Sequence, residues 1–277
     1  MKTKIGRPGT ILFPTDLSPH SKSAAALVSF FVNRFQSRVI VLHVLPPVEN
    51  PFELLSGGFT ETRAVQDVAS AQVREFITRE FPPFPCDLRV EVGEPAEAIV
   101  RVANEVGVDL ICLPTRGHGP FRRFLLGSIS SKVLNDASVP VLTGAHMDNP
   151  GADAVRDIRT VVCALSLDDR GERALRAALQ VCEEFGARLV VAHALEDKTG
   201  TGRANADHAI ASLMAGASVP FEVVVGDGDP APFVRTVAAE KHADMVVIGR
   251  SAPGPLGRLR TQSYAIVRES PCPVLSV

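Results

Sequence analysis

Short apolar runs alternate with longer stretches of helical periodicity along this chain. Residues 11–13, 39–44, 88–92, 110–113 and 139–142 are strand-length apolar runs, which predict buried strands. Between the first two, Ala24, Leu27, Val28, Phe31 and Phe35 recur at the spacing of one buried helical face. A second helical stretch carries Val65, Val68, Ala69, Gln72, Val73, Phe76 and Ile77 and ends before Pro82 and Pro83. A third begins at Pro95, a residue favoured in a first helical turn, and runs to about Glu105. Strands alternating with helices predict a parallel sheet covered on both faces.

The pattern occurs twice. Residues 10–35 align without a gap with 160–185, and the strands that follow keep the spacing, so His43 faces His193. Further on, Pro95 falls opposite Pro230 and Asp109 opposite Asp244, and SVPVLTG at 138–144 matches PCPVLSV at 271–277. Four matching blocks in one order mean one domain written twice. The polar, Gly- and Pro-containing stretch 145–156 separates the copies, which predicts domains at 1–147 and 148–277. The second copy shortens the connection after its second strand, so its second helix is expected to be shorter.

Composition narrows the class. With 45% hydrophobic and 22% charged residues, the chain reads as globular rather than disordered. A net charge of −2 offers no whole-chain basicity for nucleic acid or an acidic membrane, and neither is expected as a partner. Apolar runs are strand-sized, and the N-terminal Met-Lys-Thr-Lys leads into Gly-Arg-Pro rather than an apolar core, so no membrane span or signal peptide is expected. Five scattered cysteines without a Cys-x-x-Cys pair argue against zinc and for buried thiols in a reducing, cytoplasmic setting.

In doubly wound sheets, ligands bind beyond the carboxyl ends of the strands, where strand order reverses. Three turns qualify: Pro14-Thr15-Asp16, His43 to Pro46, and the segment 113–134, LPTRGHGPFRRFLLGSISSKVL. In the last, Gly117, Gly119 and Gly127 free the backbone, Ser128 stands where a helix should begin, and Arg116, Arg122 and Arg123 add positive charge. Two readings stay open there. A Gly-Ser step opening a helix presents N–H groups to a phosphate, or Ser128 caps its own helix and the glycines only turn the chain. Neither a Walker loop nor a Gly-x-Gly-x-x-Gly after the first strand is present, and Ser56-Gly57-Gly58 reads as a plain loop.

ILFPTDLS, VIVLHVL, VGEPAEAIV and above all TRGHGPFRRFLLGSISSKVLNDASVPVL resemble the universal stress protein family over essentially the whole chain, as two tandem domains. The resemblance implies two Rossmann-like α/β domains of the adenine nucleotide alpha hydrolase kind, each a five-stranded parallel sheet flanked by helices. ATP-binding members carry Gly, two residues, Gly, nine residues, then Gly with Ser or Thr. Gly117, residues 118–126 and Gly127-Ser128 fit, while Pro114 stands where the first glycine belongs. Carried over by position, Asp16 beside Pro14 and Thr15 is implied to contact ribose or adenine, and Val44 to line the adenine pocket. Gly117, Gly127, Ser128 and Ile129 would surround phosphates and ribose, with Leu113, Thr115 and Arg116 along the same turn. The implied ligand is ATP or another adenine nucleotide, with Mg2+ accompanying it.

In the second copy Ser166 replaces Asp16, Ala194 replaces Val44, Ala252 replaces Gly117, and the Gly-Ser step has no counterpart. An adenine nucleotide is not expected there, although Arg250, Arg258 and Arg260 form a basic loop suited to a smaller anion. His43 and His193 read as structural, and no general base, metal pair or Gly-x-Ser-x-Gly elbow is found. The expected function is therefore a regulatory nucleotide-binding module rather than an enzyme, slow hydrolysis aside. The alternative is a nucleotide-free scaffold acting through unknown protein partners. Members of that family commonly dimerise by pairing their last strands, so the resemblance implies that 139–143 and 274–277 pair within the chain as an internal pseudo-dimer; both are short apolar edges that would favour aggregation if uncovered. The sequence leaves a further homodimer open.

Overall fold

The computed structural model describes residues 6–47, 58–81, 84, 86–114, 126–144, 157–195, 200–250 and 261–277. Strand β1 (Thr10–Pro14) leads to α1 (Pro19–Phe35), β2 (Arg38–Leu45), α2 (Gly58–Glu80), β3 (Cys86–Val92), α3 (Pro95–Val106), β4 (Leu110–Leu113), α4 (Ser128–Asp136) and β5 (Val141–Thr143). The series repeats as β6 (Thr160–Ala164), α5 (Asp169–Phe185), β7 (Arg188–Leu195), α6 (Gly200–Leu213), β8 (Phe221–Asp227), α7 (Pro230–Glu240), β9 (Met245–Ile248), α8 (Thr261–Glu269) and β10 (Val274–Ser276). The expected domain boundary at 147/148 lies outside the described residues.

Among the described residues, ten strands form one sheet in the order β3-β2-β1-β4-β5-β10-β9-β6-β7-β8. Neighbours within each half are parallel. At the centre β5 and β10 run antiparallel, with Leu142 opposite Leu275, which is the internal pseudo-dimer expected of the two copies. Alternation along β1 sends Ile11 and Phe13 to one core layer and Leu12 to the other. The first layer lies under α1, α2, α5 and α6, the second under α3, α4, α7 and α8, and each runs across both halves.

Local chemistry sets the helix ends. Ser18 caps α1 by accepting from the Ser21 N–H, and Glu94 caps α3 by accepting from the Glu97 N–H. The equivalent helices α1 and α5 both close on a left-handed residue, Gln36 at φ 57° and Gly186 at φ 67°; only glycine adopts that conformation without strain. Asp109 accepts from the N–H groups of Gly9 and Thr10, and Asp244 from those of Arg159 and Thr160, all at 2.9 Å. This shared brace explains why both aspartates stand at equivalent places.

Three predicted details shift. β5 begins at Val141 rather than Val139. Helix α2 buries Ala69, Val73 and Phe76, but Val65 and Val68 stay 54% and 60% exposed. Gly58 opens that helix rather than lying in a loop, while Ser56 and Gly57 fall outside the described residues. As expected, α6 is shorter than α2, 14 residues against 23. All five cysteines are free; burial raises the thiol of Cys112 to about 12 and of Cys86 to about 11, the latter also under the Asp87 charge.

Candidate functional site

Strand order reverses between β1 and β4, so their carboxyl ends open a crevice. Pro14, Thr15 and Asp16 sit at the end of β1, Val44 at the end of β2 and Leu113 at the end of β4. Thr15 is buried, its N–H donating to the Leu42 carbonyl and its Oγ1 accepting from the Leu17 N–H. Leu17 pays for this tight turn with a left-handed φ of 61°. Asp16 is exposed, and its Oδ1 accepts from the Ser18 N–H at 2.9 Å and the Ser21 hydroxyl at 2.8 Å. The Nδ1–H of His43 donates to the Thr15 carbonyl at 2.8 Å, the structural role expected of that histidine.

At the other side of the crevice, α4 starts with Gly127 as its N-cap and Ser128 as its first helical residue. Ser128 therefore does not cap its own helix. Gly127 has no side chain to satisfy the first N–H groups, the arrangement that favours an anion at a helix start. Ile129 is 40% exposed beside it. Ser130 donates its hydroxyl to the Pro114 carbonyl at 3.1 Å, tying the end of β4 to the first turn of α4. Leu113 is core, and its carbonyl accepts from the Gly144 N–H. Thr115, Arg116 and Gly117 lie outside the described residues, as do Arg122 and Arg123.

The second half builds a cavity of about 720 Å³ at the equivalent place. Its floor is rich in small residues, including Ala192, Ala194, Ala206 and Ala209, and its rim carries Ser166, Asp168 and Arg170. Ser166 donates to Asp168 Oδ1 at 2.6 Å, the N–H groups of Arg170 and Gly171 donate to the same oxygen, and the Arg170 guanidinium occupies Oδ2. Desolvation opposes ionisation of Asp168, but these bonds outweigh it and hold the carboxyl well below the usual range. His193 mirrors His43, with its Nδ1–H on the Leu165 carbonyl at 2.9 Å.

Packing and the interface between the halves account for two further second-half residues. A Cβ on Gly249 would stand 2.3 Å from the Arg170 carbonyl, so close packing against α5 demands the glycine without any phosphate. Arg250 belongs to no anion loop: its guanidinium donates to the carbonyls of Leu134, Ala137 and Val139 at 2.8, 3.2 and 2.7 Å, across the interface at the end of α4. Burial and the nearby Arg173 charge lower it to about 10, leaving it charged at neutral pH. Arg258 and Arg260 lie outside the described residues. Ser18, Ser21 and Ser130, which orient the first-half crevice, were missed from sequence because serine spacing alone does not distinguish tether from surface.

Known proteins share this fold. The model of the universal stress protein family matches residues 8–143 and again 157–277. A universal stress protein of Thermus aquaticus is 35% identical over 139 residues, 48% of this chain and 96% of its own length. One from Methanocaldococcus jannaschii is 29% identical over 48% of this chain and 91% of its own. Among solved structures, a universal stress protein from Archaeoglobus fulgidus shares the fold over 100% of this chain and 98% of its own, with a TM-score of 0.69 at 20% identity. With two family matches in tandem on one continuous sheet, the chain belongs to the universal stress protein family.

Proposed function

We propose that the first half binds an adenine nucleotide, ATP foremost, and that the protein acts as a regulatory stress-response module rather than a catalyst. The observation carrying this reading is the pairing, across one crevice, of a tethered Asp16 carboxylate with an α4 start that no side chain of its N-cap residue satisfies. In this reading Asp16 accepts hydrogen bonds from ribose hydroxyls and half-buried Val44 packs on adenine. The N–H groups of Ser128 and Ile129 meet phosphate oxygens, and Thr115, Arg116 and Gly117 complete the path. Among the described residues no group of three His, Cys, Asp or Glu gathers to hold a metal, so Mg2+ enters this reading as a companion of the phosphates. The five free thiols fit a cytoplasmic setting, and no described helix is long and apolar enough to cross a membrane.

Pro114 tempers affinity. It supplies no N–H, and losing one such bond costs about 1–3 kcal/mol, or roughly 5- to 150-fold. The test is mass spectrometry of small molecules released on denaturing the purified protein, with calorimetric titration by ATP and AMP. One adenine nucleotide per chain, with affinity lost in Asp16→Ala and Gly127→Ala, is the expected result. Absence of heat at millimolar ATP in both the wild type and Pro114→Gly would favour the scaffold alternative, in which partners dock on a nucleotide-free protein.

A further inference from the structure

We propose that the second-half cavity is a separate binding site for a compact, uncharged, mostly apolar organic molecule. Three observations carry this. The cavity, about 720 Å³, falls within the range of about 300 to 1,000 Å³ usual for small-molecule pockets, so the decay of the nucleotide residues has not closed it. Its floor is alanine-rich, and the replacement of Val44 by Ala194 widens the place where the first half presents a larger side chain. Such a surface rewards burial of apolar area.

The third observation concerns charge. Asp168 is the carboxylate at the rim, and five hydrogen bonds from Ser166, Arg170 and Gly171 use its acceptor sites. It therefore cannot grip a sugar diol as Asp16 is placed to do, and its pairing with Arg170 cancels the formal charge of both. The Ser166 hydroxyl proton is likewise committed to Asp168. Among the described lining residues, a ligand meets apolar Leu165, Val234, Ile248 and Ile266 and the neutral polar groups Asn205, Gln262 and Ser263. These suit one or two hydrogen-bonding atoms on an otherwise apolar body.

The test uses the full chain and the neutral fluorophore N-phenylnaphthylamine, with saturating ATP present or absent. Saturable fluorescence enhancement at one site, undiminished by ATP, is expected. Ala209→Trp, which fills the cavity from α6, should weaken binding roughly tenfold or more, the loss that accompanies denying one side chain's worth of apolar burial. Ala194→Val, which restores the first-half residue, should weaken it by a smaller factor, with thermal melting of both variants confirming the fold. Displacement by ATP would assign the cavity to nucleotide and overturn the proposal. So would absence of saturable binding, or binding unchanged in either folded variant, which would place the probe on exposed apolar surface such as Phe221 and Val223. Calorimetric titration with ATP reads the first-half site independently, so one reading can fail without the other.

Discussion

At the residue scale, equivalent positions in the two halves have exchanged their chemistry. The first half places a carboxylate at Asp16 and a serine cap at Ser18; the second places a serine at Ser166 and a carboxylate cap at Asp168. Moving the acid two residues along makes it a helix cap locked by Arg170. Asp168 therefore has a pH signature. Its folded pKa is depressed, so the stability it adds is present above the ordinary carboxylate pKa of about 3.9 and is lost as pH falls through the folded value. Asp168→Asn should flatten the acid limb of a urea-melt stability profile below pH about 4, whereas an unchanged limb would show that the carboxylate is not held low. At Pro114, the change to Gly should raise ATP affinity by roughly 5- to 150-fold in calorimetry, the restored hydrogen bond being worth about 1–3 kcal/mol; affinity unchanged or lower would mean that this peptide N–H does not face the phosphates.

At the scale of elements, the two copies of one helix offer a controlled comparison. Helix α1 ends on Gln36 in the left-handed region and α5 on Gly186. Gln36→Gly should stabilise the protein by about 0.5–1 kcal/mol, since relief of left-handed strain exceeds the added freedom of the unfolded chain; chemical denaturation measures it directly. The carboxyl end of α4 makes the opposite point. Its carbonyls are satisfied by Arg250 from the other half, where a cation also complements the helix dipole. Arg250→Met should cost on the order of 3 kcal/mol, because buried carbonyls lose a charged donor, and a change within experimental error of zero would assign the three bonds no net worth. Periodicity made α1 legible from sequence, since it writes its buried face into its own residues, whereas α3 was marked by Pro95 and the short α6 by the shortened connection. Periodicity misplaced Val65 and Val68, because an apolar residue at helical spacing is buried only where another element covers it.

At the scale of the molecule, the halves share a core. Phe185 packs on Phe30, Phe31 and Phe35 with ring centroids 5.6, 6.2 and 5.4 Å apart, and the Tyr264 hydroxyl donates to the Ser131 carbonyl at 2.7 Å. Both apolar layers cross the β5–β10 seam. The chain should therefore unfold in one cooperative transition, with calorimetric and van't Hoff enthalpies equal; two resolved transitions would show that the seam is weaker than either half. The duplicated fold and the parallel strands were determined by sequence alone, because repeat, alternation and helical period are properties of neighbours along the chain. Only the tertiary structure decided that Arg250 caps a helix more than 110 residues away, that Gly249 answers crowding by α5, and that the second half keeps an open cavity. Those outcomes depend on which side chains from distant elements meet and how much space they leave, and no local pattern encodes either.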